Sequence, residues 1–372
     1  MNELFPTPPR AVAILKLSAL GDVCHTLPVV RTLQHAWPAT HFSWIIGRTE
    51  AQLLQGVTDI ELIPFDKRAG VLAYGMVRRA LRGRRFDLLL HMQFAWRASL
   101  VAALVEAPVK LGYDRARALD LQWLFTTHRI EPAPREHVMD TLFGFARRLG
   151  VEQREYRWDI PLPESARHYA AHHIPNGVPT LIISPCSSHV LRNWHAAGYA
   201  QVGDYAAGRL GLKVLICGGR TPLEQRMGAE IAKGMHAPCT NLVGQDTLLE
   251  FYATLARARV LVTPDSGPAH MGTSLGIPVV GLYAATNPAR SGPYFTRELC
   301  VDRFEDAAQR FLGKSAAELP WRTKIERPGV MGLIEAGEVI AKLESALERP
   351  LKLSAAASAD ARCARAGSEG SA

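Results

Sequence analysis

The sequence has no Asp-x-Asp pair, no Cys-x-x-Cys pair and no Gly-x-Gly-x-x-Gly loop, and no apolar run approaches the roughly 20 residues of a membrane-spanning helix. Without Asp-x-Asp there is no evident clamp for a divalent cation on a nucleotide-sugar pyrophosphate. Without the glycine fingerprint a nicotinamide dehydrogenase loses its support. The longest apolar stretch, near 87–109, is broken by His91 and Arg97. Gly313-Lys-Ser looks like the end of a phosphate loop, but Ala308 stands where the leading glycine belongs. The six cysteines are scattered without metal-ligand spacing, which predicts a reduced setting and no structural zinc. The first residues, Met-Asn-Glu-Leu-Phe-Pro, have neither the basic nor the apolar region of a secretory signal.

What is present describes a globular α/β protein. At 372 residues the chain is too long for one ordinary core, and 48% hydrophobic with 21% charged residues fits two packed domains. The formal net charge is +8. The notable charge is local: from 67 to 85 there are seven basic residues and no acidic one, with Val71, Leu72, Met76, Val77 and Leu81 at helical spacing. A basic amphipathic helix of this kind can hold anionic lipid head groups or an anionic acceptor, or simply present a solvated face.

Strands are predicted at 12–17, 41–47, 60–64, 86–91 and 109–111, alternating with helices that include 96–105 and 135–150. Prolines 161, 163, 175 and 179 bracket a poorly periodic stretch that reads as a linker. The alternation restarts with strands at 180–184, 213–217, 260–263 and 279–283. The expected division is a domain over 1–165, a second over 176–348, and a disordered tail over 354–372, where eight Ala and four Ser fill 19 positions.

Three segments concentrate the chemistry, each directly after a predicted strand. In Lys16-Leu-Ser-Ala-Leu-Gly-Asp-Val-Cys-His-Thr-Leu-Pro28, Asp22 occupies the place of a helix N-cap at the end of the first strand. Open α/β sheets bind ligands in the crevice at the carboxyl ends of their strands. Gly21 permits close backbone approach, and Lys16 and His25 add titratable groups, so Asp22 is a candidate general base as well as a plain cap. In Thr263-Pro-Asp-Ser-Gly-Pro-Ala-His270, Asp265 and Ser266 can cap a helix with Pro268 at its first position, leaving N–H groups at Ser266 and Gly267 for an anion and His270 as a further donor. Ser266, flanked by Pro264 and Pro268, does not sit in the nucleophile pattern Gly-x-Ser-x-Gly, so Asp265, Ser266 and His270 do not read as a hydrolytic triad. In Ser184-Pro-Cys-Ser-Ser-His-Val-Leu-Arg-Asn-Trp194, the hydroxyls of Ser187 and Ser188 with Arg192 can hold phosphate oxygens. Gly218-Gly219 makes a further crevice loop, from which Thr221 or Glu224 could reach a ribose hydroxyl.

Taken in order, these segments resemble the glycosyltransferase family 9 heptosyltransferases, which build the inner core of bacterial lipopolysaccharide. The likeness runs to about residue 345, and Phe86-Asp-Leu-Leu-Leu-His-Met-Gln, Leu111-Gly-Tyr-Asp-Arg and Met331-Gly-Leu-Ile add weaker matches. The resemblance implies a GT-B fold, two Rossmann-like doubly wound domains facing across a cleft, the N-terminal one for the acceptor and the C-terminal one for the donor. It implies an inverting, metal-independent transfer of heptose from ADP-heptose to Kdo or heptose of the inner core, with no cofactor.

Asp22 falls on the family's catalytic base and Lys16 on its nearby lysine. Donor-binding positions are Ser187, Ser188, Arg192, Asp265, Ser266, Gly267 and His270, with Thr221 or Glu224 on the ribose. Arg192 stands where lysine is usual, and Ser266 where threonine is commoner. Acceptor contacts are expected from Ser18, Gly21, Arg78, Arg79, Arg82, Arg97, Arg115 and Arg117. The expected partners are the nucleotide-sugar donor, an anionic lipid A-Kdo type acceptor and the inner membrane surface, with no nucleic acid. The expected location is cytoplasmic, peripheral on that membrane. A GT-B enzyme with another donor, an epimerase, or a non-catalytic sugar-nucleotide-binding protein are the alternatives.

Overall fold

A computed structural model describes residues 4–349; the stretch 354–372, expected to be disordered, lies outside the described residues. The chain divides into two compact units after Pro161.

The first unit follows β1 (Ala11–Leu15), α1 (Leu20–Ala36), β2 (His41–Gly47), α2 (Arg48–Ala51), β3 (Glu61–Phe65), α3 (Leu72–Ala80), β4 (Leu88–His91), α4 (Trp96–Ala103), β5 (Val109–Gly112), β6 (His128–Arg129) and α5 (Val138–Arg148). Its strands form one parallel sheet in the order β3-β2-β1-β4-β5-β6. Strands buried on both faces need apolar side chains at every position, which is why Val12, Ala13, Ile14 and Leu15 are all fully buried. Ala13 and Leu15 face a core shared with Ala73 and Val77 of α3 and with Ala98, Val101 and Ala102 of α4. By the two-residue period of a strand, Val12 and Ile14 point to the opposite face.

Helix α1 contains Pro28, whose ring nitrogen cannot donate to the carbonyl four residues earlier. That carbonyl belongs to Cys24, and the indole Nε1 of buried Trp158 donates to it at 2.6 Å. A distant side chain thus replaces the lost helical bond.

The second unit follows α6 (Glu164–His173), β7 (Thr180–Ile183), α7 (Ala196–Gly208), β8 (Lys213–Ile216), α8 (Pro222–Gly234), β9 (Thr240–Asn241), α9 (Leu248–Ala256), β10 (Val260–Pro264), α10 (Gly267–Ser274), β11 (Val279–Tyr283), α11 (Pro288–Ser291), β12 (Val301–Asp302), α12 (Phe304–Leu312) and α13 (Ala336–Leu347). Its parallel sheet runs β12-β11-β10-β7-β8-β9. Numbered from its own first strand, this is the order 3-2-1-4-5-6, the same as in the first unit. In both units the strand order reverses between the first and fourth strands, β1 and β4, then β7 and β10.

The proline-bracketed stretch read as a linker contains α6, which packs against α9 in the second unit. Proline at the positions flanking a helix does not interrupt it. The edge strands β6, β9 and β12 are two residues each, too short to show any period in the sequence.

Candidate functional site

In the first unit the polar groups gather where β1 and β4 end. Lys16 follows β1 and is 3% exposed; its Nζ lies 2.9 Å from Asp22 Oδ2. Burying an ammonium is tolerable only with a partner, and Asp22 supplies it while keeping its own carboxyl 35% exposed. Asp22 is not the N-cap. The helix begins at Leu20 after Ala19, and Asp22 is the third helical residue, its Oδ2 accepting the Ala19 N–H at 3.4 Å. From the third position a carboxylate can reach back over the first turn, and the local sequence did not distinguish the two places.

The loop between them is fixed from a distance. Gln93, two residues after β4, accepts the N–H groups of Leu17 and Ser18 at 3.1 and 3.3 Å. Trp44 Nε1 donates to the Lys16 carbonyl at 3.1 Å. Gly47 donates its N–H to the Leu17 carbonyl at 2.9 Å, and a Cβ there would collide with that oxygen. Gly21 is buried and Ser18 half-buried. His25 is also buried, its ring edge-on to that of His137 at 5.6 Å.

The arginines expected on an acceptor divide into two groups. Arg78, Arg79, Arg82 and Arg97 are exposed. Arg115 lies over the Trp123 ring at 5.8 Å. Arg117 is taken up internally: it pairs with Asp114, with Glu136 at 3.0 Å, and donates to the Glu131 carbonyl at 2.6 Å. Its donors stabilise the loop after β5, a role its sequence neighbourhood did not reveal.

In the second unit the loops after β7 and β10 meet. Arg192 Nη1 lies 3.8 Å from Asp265 Oδ2. Neither Asp265 nor Ser266 caps α10 through its side chain: Ser266 Oγ pairs with Thr263 Oγ1 at 2.8 Å, and Asp265 accepts from Ser291 Oγ at 3.4 Å. Helix α10 starts at Gly267, so Pro268 is its second residue rather than its first. The N-terminal end of α10 is left without a side-chain cap, with His270 one turn in and nine-tenths buried. Such an end favours an anion. Ser187 Oγ is held in its own loop, accepting the His189 N–H at 3.2 Å, and Ser188 is exposed. Thr221 and Glu224 form the reciprocal cap of α8, and Glu224 Oε1 also accepts the Gly219 N–H at 2.8 Å.

Two residues at this place were not singled out in the sequence. Glu326 Oε1 accepts from Arg192 Nε at 2.8 Å and Nη2 at 2.6 Å. Burial alone would raise its carboxyl, but the hydrogen bond and charge of Arg192, with His189 and Lys324, carry it below the ordinary carboxylate range. Lys324 is pulled below the usual lysine value by burial and by the charge of Arg192. Both sit on an irregular stretch with no motif, 134 residues beyond Arg192 in the case of Glu326. Among the described residues, no group of three or more His, Cys, Asp or Glu side chains is placed to hold a metal ion.

Two parallel sheets of the 3-2-1-4-5-6 order, each with its polar loops at the reversal of strand order, define a two-domain α/β protein of the GT-B class. The family described as Glycosyltransferase family 9 (heptosyltransferase) matches residues 75–321. The chain is 36% identical to the lipopolysaccharide core heptosyltransferase OpsX of Haemophilus influenzae over 92% of this chain and 98% of that one. Among solved structures, a glycosyl transferase family 9 protein from Veillonella parvula superposes with TM-score 0.74 at 25% identity, covering 91% of this chain and 97% of that one. The Escherichia coli heptosyltransferase WaaC superposes with TM-score 0.67 at 20% identity, covering 90% and 99%. The chain belongs to glycosyltransferase family 9, and it is a heptosyltransferase of lipopolysaccharide core biosynthesis.

Proposed function

We propose that the chain transfers heptose from ADP-heptose to Kdo or heptose of the lipopolysaccharide inner core by a single inverting displacement that uses no metal. The observation that carries this reading is the half-exposed Asp22 carboxylate, paired with buried Lys16 at the carboxyl end of β1. Asp22 takes the proton from an acceptor hydroxyl as that oxygen bonds to the anomeric carbon. The anomeric bond to the β-phosphate oxygen breaks on the opposite face, and its electron pair leaves with ADP. Lys16 holds the carboxylate in place.

The donor belongs to the second unit. Arg192, the uncapped N-terminus at Ser266 and Gly267, and His270 stabilise the leaving diphosphate, each such donor being worth about 2–4 kcal/mol when preorganised. Ser187, Ser188 and Asp265 complete the phosphate and sugar contacts, and Thr221 or Glu224 meets the ribose. Escherichia coli WaaC has been solved with ADP, the leaving group of this chemistry, and with ADP-2-deoxy-2-fluoro heptose, an analogue of its donor. The acceptor belongs to the first unit, at Ser18 and Gly21 beside Asp22, with Arg97, Arg115 and Arg117 on or behind its anionic groups. The enzyme works at the cytoplasmic face of the inner membrane as a peripheral protein; no helix among the described residues is long and apolar enough to cross it.

Calorimetry with ADP and ADP-heptose in EDTA, followed by ADP release on adding deacylated Kdo-lipid A, tests this reading. Metal-independent binding and turnover that disappears in Asp22→Asn support it. Failure to bind either nucleotide points to another donor, and turnover that survives in Asp22→Asn removes Asp22 as the base.

A further inference from the structure

Helices α3 and α4 cover the same face of the first sheet, since their inner side chains Ala73, Val77, Ala98 and Val101 enter one core. Their outer surface is unusual for a solvated layer. Around α3, Val71 is 85% exposed, Leu72 75% and Met76 58%. Beside α4 packs the turn Gln122–Phe125, with Trp96 edge-on to Phe125 at 5.6 Å. Here Trp96, Trp123 and Leu124 are exposed. Single exposed apolar residues are ordinary, but groups of large ones on one layer mark a contact surface.

The charge of that layer says what it contacts. Arg78, Arg79 and Arg82 are exposed and form no ion pair among the described residues, whereas Arg84 and Arg85 reach Glu61 and Glu106. No acidic residue falls anywhere from 67 to 85. Apolar tips beside unpaired guanidinium groups, with exposed indoles on the same layer, match the boundary between phosphate head groups and acyl chains. Indoles settle at that depth, and long cationic side chains reach from it to phosphate.

We propose that the outer surface of the α3–α4 layer docks on an anionic phospholipid bilayer, with Val71, Leu72 and Met76 entering the head-group boundary and Arg78, Arg79 and Arg82 on lipid phosphates. The inference extends the peripheral location given above, and it moves these three arginines from the acceptor to the bilayer. Its test does not depend on turnover.

The experiment is co-sedimentation of the full chain with vesicles of phosphatidylethanolamine and phosphatidylglycerol, against vesicles of phosphatidylcholine alone. The wild type is expected to pellet with the anionic vesicles and to be released by salt. The combined Val71→Ser, Leu72→Ser, Met76→Ser variant is expected to lose at least about tenfold in vesicle affinity, with unchanged thermal unfolding and unchanged turnover of a soluble deacylated acceptor. Each of Arg78→Gln, Arg79→Gln and Arg82→Gln is expected to lose about fivefold. Quenching of tryptophan fluorescence by brominated lipid is expected to fall in the Trp96→Phe, Trp123→Phe variant. Wild-type affinity in the serine variant, or quenching unchanged by loss of both indoles, overturns the docking face. Self-association that the serine variant abolishes also overturns it, by giving the face to a second copy. Vesicle binding as described in a preparation without turnover supports the face and counts against the transfer reading alone.

Discussion

Lys16 and Asp22 depend on each other in different ways. Lys16 is buried and cannot shed its need for a partner; Asp22 is half-exposed and can. Asp22→Asn therefore removes the proposed base and also leaves a buried ammonium with a neutral neighbour. The expected outcome is loss of turnover by about 10²–10⁴-fold, with ADP affinity unchanged and stability lowered by about 1–3 kcal/mol. Turnover assays, calorimetry and thermal unfolding on one preparation separate the three effects. Lys16→Met removes the charge from inside and leaves Asp22 free to meet solvent, so it is expected to reduce turnover with a smaller loss of stability than Asp22→Asn.

At the scale of elements, α1 and β4 each carry a non-local debt. The Cys24 carbonyl, orphaned by Pro28, depends on Trp158. Trp158→Phe is expected to cost about 1–3 kcal/mol. Pro28→Ala restores an N–H to the same carbonyl, so the cost of Trp158→Phe should shrink in that background, a coupling that denaturant unfolding of the double-mutant cycle measures.

On β4, burial, reinforced by the charges of Lys110 and Lys16, pushes the His91 imidazole down to about 3 from its ordinary 6.5. The folded protein refuses a proton that the unfolded chain accepts below pH 6.5. Stability from this group is complete above that pH and falls as pH drops toward 3, by up to about 1.4 kcal/mol per unit. His91→Gln should flatten that part of the acid limb relative to wild type.

For the whole molecule, the proposed division of labour predicts two separable phenotypes. Arg192→Ala in the second unit should weaken ADP binding by about tenfold or more, because its fork makes charge-assisted contacts. Asp22→Asn in the first should leave ADP binding intact. Glu326 holds the Arg192 fork through a single carboxylate oxygen, occupying the donors that the proposed diphosphate contact needs. Glu326→Gln should therefore tighten ADP binding in calorimetry, and unchanged or weaker binding would show that the carboxylate orients Arg192 instead of competing with the phosphate.

The sequence by itself determined the alternating α/β architecture and singled out the three polar loops proposed to carry the chemistry, because both are local: buried parallel strands are continuous apolar runs, and crevice loops follow them directly. It placed Lys16 and Asp22 at the two ends of one short loop for the same reason. The tertiary structure alone decided the groups' partners. Gln93 reaches the Leu17 and Ser18 amides, Glu326 reaches Arg192, and Trp158 reaches Cys24 across 75 or more residues of chain, with no periodicity or spacing to announce them. It also decided that Asp22 is the third residue of its helix, that Arg117 is spent on Asp114 and Glu136, and that Val71, Leu72 and Met76 point outward while Ala73 and Val77 point in. A helical pattern lists which residues share a face, but only packing against the sheet says which face is buried.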